Sequence, residues 1–311
     1  MLRTPPRHAV QGRHPPTERE RGDRVPDGAV PRLPMNPISP TLTRERVRHE
    51  FAIRPMTVAR WRDLTPRMRR VTLSGPMDGF ASTGPADHVK VFFPNPATGE
   101  LHAPRLTPAG MERPEGVELI SRDYTPLVNG DGELELDFFL HDDDGPAAGW
   151  AANVSEGDQI VVAGPRGSKL APTGADWFVL GGDETALPAL ARWLRVLPES
   201  ARVTVLVEAQ DTADEAYLED LAGPHRQIHW LHRGDAAPGT TTLLEDAVRA
   251  LPLAEGTGYW WFGGEAAMLK PVRRHLRREL GLDASTVECS GYWKRGTAGH
   301  DHHAPIDPED P

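Results

Sequence analysis

The run Arg122-Asp123-Tyr124-Thr125-Pro126 combines a cation, an aromatic face and a hydroxyl within a few residues. A flavin lying on a β-barrel needs a cation for its pyrophosphate, an aromatic cover for its ring, and a hydroxyl or backbone N–H near N5. Arginine makes the bidentate phosphate contact that lysine does not reproduce. Alternation along a strand places Arg122 and Tyr124 on one face and Thr125 on the other. Taken alone, the run also fits a surface arginine beside a half-buried tyrosine.

Three glycine-containing segments add to it. Gly145-Pro146-Ala147-Ala148-Gly149-Trp150-Ala151 reads as a helix start with proline in its first turn, whose free N–H groups can receive phosphate oxygens. It also fits a plain turn-to-helix join. Gly164-Pro165-Arg166-Gly167-Ser168 permits a tight turn and close backbone approach, as structural hairpins do. Gly181-Gly182-Asp183-Glu184-Thr185-Ala186-Leu187-Pro188 follows an apolar run and opens a helical pattern, the place where a dinucleotide pyrophosphate belongs. It is not the G-x-G-x-x-G fingerprint. Asp183 and Glu184 suit the helix dipole but repel a phosphate set directly on them, so they face the nicotinamide or cap the helix. An acid ending the second strand, Glu208, with Asp211 just beyond, favours a ribose 2′-hydroxyl over a 2′-phosphate. Arg233, after the third strand, is placed to meet a phosphate, so the pattern leans to NADH without excluding NADPH.

Two kinds of element must position these residues. From Glu50 to about Leu170, short β runs such as MRRVTLSG, HVKVFFP, GELELDFFL and GDQIVVAGP are broken by Pro and Gly, which implies a small antiparallel barrel. The proline-containing stretch from Asn95 to Ser121 reads as a long excursion. The period changes at Pro172-Thr173-Gly174. Strands WFVLGGD, VTVLVEA, QIHWLHR and GYWWFGG then alternate with helical patterns LPALARWLRVL, DEAYLEDLA, TLLEDAVRAL and EAAMLKPVRRHLRREL. That order implies a parallel sheet covered on both faces, with its ligand site at the carboxyl ends of the strands. The expected organisation is a disordered Pro/Arg-rich extension over 1–45, a barrel over 46–171, an α/β domain over 172–296 and a flexible tail over 297–311. Met35 is a candidate natural start.

Composition removes several function classes. Asp and Glu outnumber Lys and Arg 45 to 35, a formal charge of −10, which disfavours nonspecific nucleic-acid binding. No window carries the run of about 18 apolar residues that a membrane helix needs, and no signal-like h-region opens the chain, so a cytoplasmic protein without membrane insertion is expected. The only cysteine, Cys289, excludes an intramolecular disulfide and a cysteine-ligated cluster, and it reads as a core residue. Redox chemistry must then come from an organic cofactor. His300, His302 and His303 lie close together, but a polar tail lacks the rigid second shell of a specific metal site, so no metal is expected.

In their order along the chain, these segments resemble the siderophore-interacting protein family, a branch of the ferredoxin-reductase-like flavoenzymes. The resemblance runs from about Phe51 to Arg295 and includes LTPRMRRVTLSGP, SRDYTP, GPAAGWA, GGDETALPAL and GYWKRG. It implies an N-terminal antiparallel Greek-key FAD-binding barrel followed by a parallel-sheet nucleotide-binding domain. It assigns Arg122, Tyr124 and Thr125 to the flavin, the last two at its reacting ring. It places Gly145, Pro146, Ala147, Ala148 and Trp150 at the FAD phosphates, with Ala148 in place of the usual serine, and gives Gly182, Asp183, Glu184 and Thr185 to the nicotinamide domain. The family usually carries arginine where this chain has Leu127, so FAD is held more weakly or Arg166 compensates. The activity implied is reduction of ferric siderophores, with NADH or NADPH as donor and iron released as Fe(II). A C-terminal aromatic near the flavin is expected from Tyr292 or Trp293, and Lys90, Lys294 and Arg295 are candidates to attract an anionic ferric complex. A general NAD(P)H:flavin or partner-protein reductase and a noncatalytic siderophore binder are the alternatives. Siderophore class and oligomeric state stay open.

Overall fold

A computed structural model describes residues 42–141 and 145–309. The extension over 1–41, with Met35, lies outside the described residues, and so does its reading as disordered. The first part of the chain carries β1 (Arg46–Arg48), β2 (Ile53–Thr65), β3 (Met68–Ser74), β4 (Val89–Phe92), β5 (Arg105–Thr107), β6 (Gly110–Glu112), β7 (Ser121–Tyr124), β8 (Leu127–Val128) and β9 (Leu134–Phe139). A short helix α1 (Pro146–Ala152) then leads to β10 (Gln159–Ala163) and β11 (Gly167–Lys169). The second part alternates β12 (Trp177–Gly182), α2 (Leu187–Val196), β13 (Arg202–Ala209), β14 (Arg226–His232), α3 (Leu243–Ala250), β15 (Gly258–Glu265), α4 (Ala266–Arg274) and β16 (Val287–Trp293). Among the described residues no helix is long and apolar enough to cross a membrane.

Seven strands form one antiparallel sheet in the order β7-β4-β10-β2-β3-β9-β8. Its two edges, β7 and β8, are separated along the chain only by Thr125 and Pro126. So short a link forces the edges together, because a residue spans at most about 3.6 Å, and the sheet must curl into a barrel-like body. Val71, Leu73, Val89, Val91, Leu134, Leu136, Ile160 and Val162 fill it, each with no exposed surface. The excursion over Asn95–Ser121 contains the small β5-β6 hairpin.

Five strands form a parallel sheet in the order β14-β13-β12-β15-β16. Alternation along β15 splits its aromatics between two cores: Tyr259 and Trp261 face α2, whereas Trp260 and Phe262 join α3 and α4. Gly181 and Gly182 end β12 because nothing larger fits. A Cβ on Gly182, whose φ is +157°, would lie 1.9 Å from the Gly263 carbonyl oxygen.

Three local readings differ from what is observed. DEAYLEDLA forms two 3₁₀ turns, Thr212–Tyr217 and Glu219–Leu221, instead of an α-helix. Asp211 caps the first turn, which lets buried Asp214 reach Arg67 and Thr65 of the barrel, so tertiary ion pairing overrides the helical pattern. The final helix is α-helical only to Arg274, after which His275–Glu279 widens into a π-turn. The boundary at residue 45 is too late. Leu42 is buried, Thr43 bridges Thr173, and Arg44 reaches Tyr259, Glu288 and the Lys169 and Leu170 carbonyls.

The segment over 297–309, read from sequence as flexible, folds back instead. Asp307 has no exposed surface and is ion-paired to Arg274 at 2.5 Å and Lys270 at 3.4 Å, while Ile306 packs on the α3/α4 core. The sequence carries the acids but not their partners, which lie more than 25 residues upstream.

Gly182→Ala tests the close approach of β12 and β15. Neither its φ nor the Gly263 carbonyl can yield cheaply, so the substitution is expected to destabilise the protein by about 3 kcal/mol or more, read as a lower urea midpoint.

Candidate active site

The sheet brings the first two cofactor segments together on one aromatic platform. Tyr124, at the end of β7, meets Phe138 at 4.4 Å and Phe93 at 6.1 Å between ring centroids. Trp150, from α1, meets the same two rings at 5.5 and 5.3 Å. Burial raises the Tyr124 hydroxyl pKa above the usual range, so it stays protonated at neutral pH. Arg122 donates Nη1 to the Ser121 carbonyl at 2.7 Å, and the backbone of Gly299 passes beside it. Thr125 is buried at the barrel seam.

The residues fit an anionic flavin dinucleotide. Gly145 begins α1 with no side-chain acceptor on the first-turn N–H groups, and proline occupies the first turn. A Cβ at Gly149 would meet nothing within 4 Å, and one at Gly145 only the His141 ring at 3.9 Å, so the backbone there is open to close approach. Ala147 and Ala148 are buried and act as packing under the turn. Arg166 is exposed and stacks its guanidinium 4.3 Å from the Phe51 ring centre. Leu127 is 8% exposed and part of the core, so this position turns inward in this chain.

At the carboxyl edge of the parallel sheet, Asp183 is only 2% exposed and its carboxylate is fully engaged. Oδ1 accepts from the Thr185 N–H at 2.9 Å and from its hydroxyl. Oδ2 accepts from the Glu265 N–H and from Trp293 Nε1, each at 2.8 Å. Asp183 thus caps the turn that opens at Glu184. It joins the ends of β12, β15 and β16. The Glu265 carboxylate accepts in turn from the Arg295 N–H at 3.0 Å, which fixes the backbone of Trp293-Lys294-Arg295 beside the sheet edge. Lys294 and Arg295 are exposed there. Tyr292, by contrast, turns into the core against Trp261. Lys90 is exposed, and its ammonium lies 2.8 Å from the Asp123 carboxylate, so its charge is matched locally.

The two residues read as nucleotide discriminators turn inward. Glu208 has no exposed surface and accepts from the Thr241 hydroxyl at 2.7 Å. Arg233 is ion-paired at 2.6 Å with Glu184, both side chains being 2% exposed. Asp211 pairs with Arg67. Burial, then the charge of Asp183, push the Glu184 carboxyl up to about 7 against the pull of Arg233. A pocket of about 480 Å³ lined by Thr212, Glu215, Leu218, Ile228 and Trp230 contains none of the cofactor-segment residues.

Arg192 is a positioning residue that sequence reasoning missed. From α2 its guanidinium donates to Ser82 Oγ at 2.8 Å, to the Ser82 carbonyl at 2.9 Å, and to the Gly84 and Pro126 carbonyls. It thus fastens the nucleotide-domain helix to the residue after Thr125. The available signal was a charge inside the otherwise apolar run LPALARWL.

An antiparallel barrel with an aromatic platform, followed by a parallel sheet with a glycine-ended first strand, is the two-part architecture of a flavin- and nicotinamide-linked reductase. The comparisons make it specific. Residues 57–169 match the siderophore-interacting FAD-binding domain, and residues 175–296 match the siderophore-interacting protein model. The NADPH-dependent ferric-chelate reductase of Escherichia coli is 35% identical over 80% of this chain and 96% of its own length. The ferric vibriobactin reductase ViuB of Vibrio cholerae is 30% identical over 77% of this chain and 89% of its own. A siderophore utilization protein from T. fusca superposes with a TM-score of 0.78 at 42% identity, covering 84% of this chain and all of that one. The chain belongs to the siderophore-interacting protein family.

Arg122→Ala is expected to lower FAD retention through purification, since a charge-assisted contact contributes roughly 1.5–3 kcal/mol. Full flavin occupancy in the variant would remove Arg122 from the site. Glu184 yields a pH test. Its folded pKa of about 7 exceeds the ordinary 4.5, so the native state holds more protons than the unfolded state between those values. Its contribution to stability therefore falls as pH rises through that window. The stability of wild type relative to Glu184→Gln is expected to decline from pH 4.5 to 7 in chemical denaturation and to level off above it.

Proposed function

We propose that this chain is an FAD-dependent reductase that takes electrons from NAD(P)H and delivers them to Fe(III) held by a siderophore. One observation carries the reading. The Tyr124–Trp150 platform and the Asp183–Trp293 sheet edge belong to one compact body, with Arg192 linking the second part to the flavin segment of the first. When bound, FAD accepts a hydride and releases electrons singly, matching a two-electron donor to a one-electron acceptor.

The chain's own residues bind and orient. Arg122 and the first-turn N–H groups of α1 hold the pyrophosphate, Tyr124 covers the ring, and Thr125 supplies the hydroxyl at the reacting edge. The glycines ending β12, with Thr185, receive the nicotinamide nucleotide. Exposed Lys294 and Arg295 raise the local concentration of an anionic ferric complex. The siderophore brings the iron as substrate, and Fe(II) is a poorer fit than Fe(III) for hard oxygen donors, so reduction loosens it. With Glu208 and Arg233 both buried, the argument for NADH loses its footing, and the name of the E. coli relative favours NADPH. A cytoplasmic location fits a donor drawn from the cell's nicotinamide pool.

The test is anaerobic reduction of the purified flavoprotein by NADPH and by NADH, followed by oxidation with a ferric siderophore, free flavin or dyes. Preferential turnover of the ferric siderophore supports the proposal. Faster turnover of free flavin makes the chain a general flavin reductase, and a protein that takes up no FAD makes it a noncatalytic binder. Lys294→Ala/Arg295→Ala is expected to raise KM for an anionic ferric siderophore several-fold, most at low salt, while flavin reduction by NADPH stays near wild type.

A further inference from the structure

The folded-back tail places two histidines against the edge of the barrel. His88 directly precedes β4, and His302 and His303 come from the tail. Ring centroids are 4.3 Å apart for His88 and His302, 3.9 Å for His302 and His303, and 6.1 Å for His88 and His303. One ring nitrogen from each lies within 4.8 Å of the others. Three imidazole nitrogens around a tetrahedral cation bonded at about 2.0–2.1 Å sit about 3.4 Å apart. Modest rotation of His88 and His303, both exposed side chains, closes that difference.

The missing second shell is also present. Asp123 Oδ2 lies 3.0 Å from His302 Nδ1. The Lys90 ammonium lies 2.8 Å from the same oxygen, so the carboxylate is also ion-paired from the barrel side. A carboxylate acceptor fixes the His302 proton on Nδ1 and leaves Nε2 with a free lone pair. That Nε2 is buried and has no hydrogen-bond partner, an arrangement that carries the full desolvation penalty unless an acceptor-seeking ligand fills it.

We propose that His88, His302 and His303 form a three-imidazole site for a divalent first-row transition cation, with Asp123 orienting His302 and a fourth position open to solvent. The site lies on the β4/β7 edge, because Asp123 of β7 is paired with Lys90 of β4 and His88 precedes that strand. The Asp123 carboxylate offsets the nearby Lys90 ammonium, which would otherwise repel the ion. Bound metal would clasp the tail to the strand that carries Arg122 and Tyr124. The inference does not depend on the reductase reading, and its readouts are binding and spectroscopy alone.

The test uses the full-length flavoprotein, stripped with chelator, titrated with Zn²⁺ by calorimetry and with Co²⁺ by difference absorbance above the flavin bands. One equivalent of tightly bound Zn²⁺ and an intense tetrahedral Co²⁺ spectrum are expected. His302→Ala should weaken binding at least 100-fold, His303→Ala substantially, and Asp123→Asn by about 10–100-fold. Flavin content and the thermal transition of His303→Ala report that the fold survives. Absence of saturable binding by wild type overturns the site, as does equal affinity and stoichiometry in His88→Ala/His302→Ala/His303→Ala.

Discussion

Arg192 carries a positive charge from α2 into the seam between sheet and barrel, and the relative placement of the two cofactor regions depends on it. Burial lowers its pKa, yet an arginine remains ionised at any pH the fold survives. The charge is tolerated because four donated hydrogen bonds and Asp87, 3.7 Å away, surround it. Asp87 extends the arrangement, accepting from Ser82, from the Gly84 N–H and from Ser168 of β11. Removing the guanidinium would leave several buried carbonyls unpaired at once, which costs far more than one hydrogen bond contributes.

The seam repeats this device. Arg67 reaches Asp214, Tyr217 donates to Asp137, and Arg44 joins Tyr259 and Glu288. Each contact joins residues distant in the chain and buries at least one polar group, so each specifies one orientation, whereas apolar packing alone would allow sliding. An electron path between a nicotinamide and a flavin needs such fixed orientation, because reacting atoms must approach within about 3.5 Å.

The carboxyl edge of the parallel sheet is built by satisfying acids rather than exposing them. Asp183 ties three strand ends, Glu265 caps α4 and holds the Arg295 backbone, and Glu184 meets Arg233. Lys294 and Arg295 stay exposed at the end of β16, on a chain whose net charge is negative. Those two cations stand where anionic cofactor and substrate are proposed to meet. The tail brings imidazoles to a different place, the β4/β7 edge of the barrel.

Periodicity alone determined the two-part architecture, since alternation and turn residues dictate a barrel and a 3.6-residue repeat between apolar strands dictates a covered parallel sheet. Residue types singled out the Arg122–Thr125 and Gly145–Trp150 segments as candidates, because the chemistry that suits phosphate and ring is narrow. Sequence did not reveal that Tyr124 and Trp150 share Phe93 and Phe138, that Asp183, Glu208 and Arg233 point inward, that DEAYLEDLA winds as 3₁₀ turns, or that His302 meets Asp123. All of these depend on pairings between residues far apart in the chain. A local pattern records how a side chain is spaced, and only the closed tertiary structure decides which charge or ring it faces and whether water remains to compete for it.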